Sequence, residues 1–191
     1  MEEKQIETIY PLSSSDWRRW LDDHHHNSKS IWVVQFKQKS GKPSISWSEA
    51  VDEALCYGWI DSTRKSIDEE SFMQLFTKRK PTSAWSKINK QKVEQLIKEG
   101  RMEEAGLKSI DIAKRNGSWA ILDEVEELIV PADLQKAFDT NALAGEYFKN
   151  LSKSNRKIVL TAIAFAKRAE TREKRINEFI NLANRSANLE K

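Results

Sequence analysis

Apolar residues recur along this chain with two different periods, and the change falls near Pro81. Before it, short alternating or β-branched runs mix with helical spacing. Trp17, Trp20 and Leu21 share one face of a helix that Ser15 or Asp16 caps and that ends in His24-His25-His26-Asn27. Ile31 to Phe36 predicts a strand, because it is rich in β-branched and aromatic residues, and Gly41-Lys42-Pro43 supplies the turn after it. Ser46 and Glu49 stand at capping-box spacing, with Ile45 placed to staple the first turn. Trp47, Val51, Ala54, Leu55 and Gly58 then fall on one face of that helix.

Trp59 to Ser66 and Phe72 to Lys78 predict two strands around an Asp68-Glu69-Glu70-Ser71 turn. A pivot near Glu69 sets Asp61 opposite Thr77 and puts Trp59, Asp61, Thr77 and Arg79 on one face. After Pro81 the spacing is helical. Ser86 caps a helix that stops at Gly100, and a second runs from about Glu103 to Gly117. Pro131 opens a tail of three or four helices through Leu189, the last with Ile176, Phe179, Ile180 and Ala183 on one face. The expectation is an α+β fold: a small antiparallel sheet with packed helices, then an all-helical C-terminal part. Residues 1–117 form the α+β domain, 118–130 an acidic joint and 131–191 the helical region.

Composition supports a folded chain. Of 191 residues 39% are hydrophobic and 32% charged, and seven Trp and seven Phe supply the large apolar surfaces that such a polar chain needs for a core. A net charge of +3 is too small to imply nucleic acid or membrane. Acidic stretches (1–61 and 102–150) alternate with basic ones (62–101 and 151–191), so the charges can answer one another internally. One cysteine, Cys56, excludes an intrachain disulfide. The segment Met1 to Tyr10 carries no apolar run and no stretch suits a membrane span, so a cytoplasmic location is expected.

Three blocks resemble a known family. They are Ala54-Leu55-Cys56-Tyr57-Gly58-Trp59-Ile60-Asp61, Phe76-Thr77-Lys78-Arg79 and Ser83-Ala84-Trp85-Ser86-Lys87-Ile88-Asn89. With Val130 to Leu134, Leu151 to Arg156 and Ala166 to Ile176, they resemble the YdeI/OmpD-associated, or bacteriocin-protection, proteins, from about Trp17 to Leu182. The resemblance implies a role in tolerance of bacteriocins or cationic peptides. It implies no defined activity, and no cofactor is expected.

The candidate chemistry gathers at Asp61, Arg79, Ser83, Trp85, Ser86 and Asn89. A guanidinium beside a helix start, with two hydroxyls near, suits a small carboxylate or phosphate, with Trp85 as a wall. A salt bridge between Asp61 and Arg79 plus an ordinary cap is the commoner use of the same residues. His24, His25 and His26 are consecutive and cannot converge on one ion from a helix, so no metal site is expected. Cys56 has no histidine partner and reads as a buried structural thiol. Arg168, Arg172 and Arg175 could align as a phosphate-contact stripe on one helix, against internal pairing or a solvated face.

Three function classes follow. The first is a non-catalytic binding or stress-protection protein recognising a small anion or a protein or peptide partner. The second is a small-molecule enzyme using Asp61 and Arg79, and the third a nucleic-acid binder through the basic C-terminal helices.

Overall fold

Local capping sets where the first helices begin. Ser13 accepts from the Asp16 amide and caps α1 (Ser14–His24), two residues ahead of the nearer candidate, since its extended backbone leaves the chain free to turn into the helix. Ser46 and Glu49 form a complete capping box at α2 (Trp47–Cys56). A computed structural model of the protein describes residues 6–189.

The chain divides into two units. The first holds the described residues through Ser83 together with Ile88–Ser118; the second holds Ala84–Lys87 and the described residues from Trp119 onward. In the first unit β1 (Thr8–Ile9), β2 (Ser30–Phe36), β3 (Trp59–Ser66) and β4 (Ser71–Lys78) form one sheet in the order β1-β2-β4-β3. β4 runs antiparallel to both its neighbours, β2 and β3, while the two-residue β1 adds a short parallel edge. α1 and α2 cover one face. Trp17 packs tilted against Phe76, ring centroids 5.4 Å apart, and donates its indole N–H to the Ala50 carbonyl at 3.0 Å; Trp20 meets Trp59 edge-on.

The hairpin register changes along its length. Near the turn, Arg64, Lys65 and Ser66 pair with Gln74, Met73 and Phe72, which is the register a pivot at Glu69 gives. A bulge between Asp61 and Arg64 then moves the pairing by one, so Asp61 lies opposite Phe76 and Ile60 opposite Thr77. Asp61 and Trp59 therefore share a face with Phe76 and Lys78, not with Thr77 and Arg79 as expected. The buried Gln74 secures the bulge by donating its amide to the Ser62 carbonyl at 3.1 Å.

Among the described residues, the regular elements after β4 are all helices. α3 (Lys87–Lys98) begins directly after Ser86, with its first residue in the second unit, and α4 (Glu104–Arg115) belongs to the first. The second unit contains α5 (Asp123–Glu126), α6 (Ala132–Thr140), α7 (Ala142–Asn150), α8 (Lys153–Ala164) and α9 (Ala169–Leu189). Leu134, Phe138, Phe148, Leu160, Ile163, Ile176 and Phe179 form its core. The fold is α+β with an all-helical C-terminal part. One local detail differs from the sequence pattern: α5 lies inside the stretch read as a joint, while Pro131 stands at a helix start as expected, as the N-cap of α6.

Candidate functional site

At the inner end of the hairpin, β3 starts at Trp59 after Gly58 has ended α2 in the left-handed conformation. The Arg79 amide donates to the Gly58 carbonyl at 3.0 Å, which ties the residue after β4 to the α2–β3 turn. Asp61 is half-buried and accepts from the Trp47 indole N–H at 2.9 Å. Arg79 is half-buried as well. Removal from water pulls its pKa down, to about 10, while the charge of Asp61 acts to raise it. Arg79 thus stays a cation at neutral pH, and it lies within electrostatic reach of Asp61 although strand alternation does not put them on one face. It can do so because it stands past the last residue of β4.

The sequence assigned Trp47 to the apolar face of α2, yet it is 46% exposed and holds Asp61. Its place directly after the Ser46 cap is the one signal that could have marked it, since the first turn of a helix lies at the element's edge. Ser83 and Asn89 belong to the first unit, Ser83 closing a turn onto the Lys80 carbonyl at 2.9 Å. Trp85 and Ser86 belong to the second unit, where Trp85 is buried and packs on Trp119 at 5.0 Å.

The other candidates are accounted for locally. His24 and His25 each direct Nδ1 to a carbonyl one turn back, Trp20 and Leu21 respectively, and His24 stacks on Trp20. Among the described residues no group of His, Cys, Asp and Glu could hold a metal. Cys56 is fully buried, and burial first, then the charge of Glu53, pushes its thiol up to about 11. Burial and the hydrogen bond with Asp22 push the Tyr57 phenol up too. Arg172 donates to both oxygens of Asp133 and to the Ile163 carbonyl, and Arg175 to the Ala162 carbonyl. α9 begins just after Arg168, and the guanidinium groups at 172 and 175 face internal acceptors.

Residues 9–109 match the family model described as a domain of unknown function (DUF8412), more than half of the chain. The chain belongs to the DUF8412 family. Residues 127–186, in the helical unit, match a second model, described as Bacteriocin-protection, YdeI or OmpD-Associated. No curated protein and no solved structure matches the chain. The likeness to bacteriocin-protection proteins is thus carried by the C-terminal stretch. The blocks at 54–61, 76–79 and 83–89 fall within the DUF8412 match instead. Short aromatic motifs at helix and strand ends serve packing in many folds, which is why they point to a family less sharply than their order suggests.

Proposed function

We infer that this DUF8412 protein is a non-catalytic binding protein of bacteriocin-protection type, taking a small monoanion at Arg79. The observation that carries the reading is a guanidinium drawn out of water beside a carboxylate that Trp47 holds in place. A cation in a partly desolvated setting attracts an anion more strongly than one in bulk water. The neighbouring Asp61 cancels part of that field, so a single negative charge suits the position better than a polyphosphate. The exposed Trp47 indole offers a flat apolar wall beside it. The non-catalytic reading is supported by the raised Cys56 thiol and Tyr57 phenol, neither of which is poised as nucleophile or base at neutral pH.

The test is thermal unfolding and amide chemical-shift mapping of the full chain with acetate, formate and sulfate. Acetate should stabilise the protein and shift amides around Trp47, Asp61 and Arg79. Arg79→Lys, which keeps the charge and loses the planar fork, should weaken that response several-fold. A response identical to that of sodium chloride, and equal in Arg79→Lys, would sink the reading.

A further inference from the structure

Arg156, on α8, lines a cavity of about 340 Å³ that lies wholly within the helical unit. The cavity's base is aromatic: Phe138 of α6 and Phe148 of α7 are both buried, with ring centroids 5.3 Å apart. Leu128 closes one side from the left-handed conformation, at φ 57°. The Leu128 amide bonds to the Val125 carbonyl and the Ile129 amide to the Glu124 carbonyl, so Leu128 occupies the helix-terminating position that glycine usually fills. Glycine there would remove the strain and also the apolar wall.

The Arg156 Nε is sealed from solvent and has no acceptor among the described residues, where Arg156 makes no ion pair. Two carboxylates stand at the same cavity, but both are exposed and engaged. Glu146 pairs with Lys149 at 2.8 Å, and Asp139 accepts from Gln135 at 2.8 Å. A buried guanidinium donor without an acceptor is costly, because it has given up water and received nothing in exchange.

We propose that this cavity is a binding site for small organic carboxylates with an aromatic or branched apolar body. The carboxylate pairs with the charge of the Arg156 guanidinium, which makes no ion pair among the described residues, in the two-oxygen geometry that a guanidinium matches. The apolar body covers Phe138 and Phe148. An inorganic anion would leave that aromatic surface wet, and a neutral apolar molecule would leave the Arg156 charge unanswered. A polyphosphate would meet Asp139 and Glu146 at the rim. The volume lies at the small end for ligand pockets, which limits the body to a single ring or a short branched chain. This site is independent of Arg79 and stands or falls apart from it.

The experiment is a calorimetric titration of the full chain with phenylpropionate, with phenylpropionamide as the uncharged isostere. Phenylpropionate should bind saturably, the amide about tenfold or more weaker. Arg156→Gln should lose about tenfold or more for the acid, and Arg156→Lys should fall between. Ala142 is exposed and lines the same cavity, so Ala142→Phe should block binding with Arg156 in place, a second route if Arg156→Gln unfolds. Arg79→Lys should bind phenylpropionate as the wild type does. No saturable binding of phenylpropionate, equal binding of acid and amide, or wild-type affinity in folded Arg156→Gln and Ala142→Phe would each overturn the proposal.

Discussion

The Arg18 guanidinium donates to Glu53 Oε2 at 2.9 Å, and Glu53, at 4% exposure, has almost no access to water. Arg101 donates to the other carboxylate oxygen at 2.7 Å, and Arg18 continues to Glu103 and to the Arg101 carbonyl. One buried carboxylate thereby ties α1, α2 and the α3–α4 link of the first unit. Each partner relies on the other, because an ion taken out of water is stable only while it is answered. Glu53→Ala leaves two arginines without their shared acceptor and should cost about 3–5 kcal/mol in urea unfolding, the range for a broken buried pair. Glu99→Ala, which removes only an exposed partner of Arg101, should cost less than about 1 kcal/mol.

Cys56 lies against this network, and its thiol is held at about 11 chiefly by burial. At pH 8 the native protein should react with a disulfide reagent about two orders of magnitude more slowly than an unfolded cysteine, since so little thiolate is present. Denaturant should restore the ordinary rate. Fast native labelling would show that the α2 end opens readily.

In the helical unit, the hydrogen bond and charge of Arg172 lower the Asp133 carboxyl below its ordinary value. A depressed carboxylate favours the folded state only while it is ionised. Its contribution is present above the unfolded pKa and is lost as pH falls through the folded one. Stability curves of the wild type and Asp133→Asn should be separated at pH 6 and approach each other as pH drops below about 4. Separation that persists at low pH would mean that packing, not charge, underlies the difference.

The same pairing bears on nucleic acid. Arg172 and Arg175 are directed at Asp133 and at helix carbonyls, so phosphates would have to displace internal acceptors. Duplex DNA should bind only weakly, with strong salt dependence, and Arg172→Ala should lower stability more than it lowers DNA binding. Submicromolar binding at physiological salt in a gel-shift titration would contradict this.

How much of this was legible in the sequence depended on distance along the chain. The capping box at Ser46, the hairpin turn and the helical tail are written within a few residues each, and the structure has all three. The bulge was not legible, since Ser62 and Thr63 include no Gly or Pro and the hydrogen bond at the bulge comes from Gln74 on the facing strand. β1 is two residues long, too short to display a period. The exposure of Trp47 and the pairing of Arg172 with Asp133, 39 residues apart, are tertiary facts. Arg156 ends the Leu151 to Arg156 block, but only the meeting of α6, α7 and α8 shows that its Nε is enclosed.

Gly106 is where α4 meets the end of α2. α4 crosses the end of α2 so closely that a Cβ at 106 would stand 2.2 Å from the Cys56 carbonyl oxygen and 2.8 Å from that of Leu55. These are backbone atoms at a helix end, and the Glu103 amide pins the Cys56 carbonyl further at 3.1 Å. No side chain can swing aside to make room. In an exposed helix, glycine to alanine gains about 1 kcal/mol from propensity. Here the clash must reverse that sign, because α4 has to lift off α2 or lose the Glu103 bond. Gly106→Ala should therefore destabilise by about 3 kcal/mol or more, at the upper end for overpacking. Gly117 is the control: its φ is 79° but nothing stands within 4 Å, so Gly117→Ala should cost only the local backbone strain, about 1 kcal/mol. The two substitutions add the same methyl group, and their denaturation midpoints should differ clearly. Equal, small losses would mean that α4 does not sit against the α2 terminus as described.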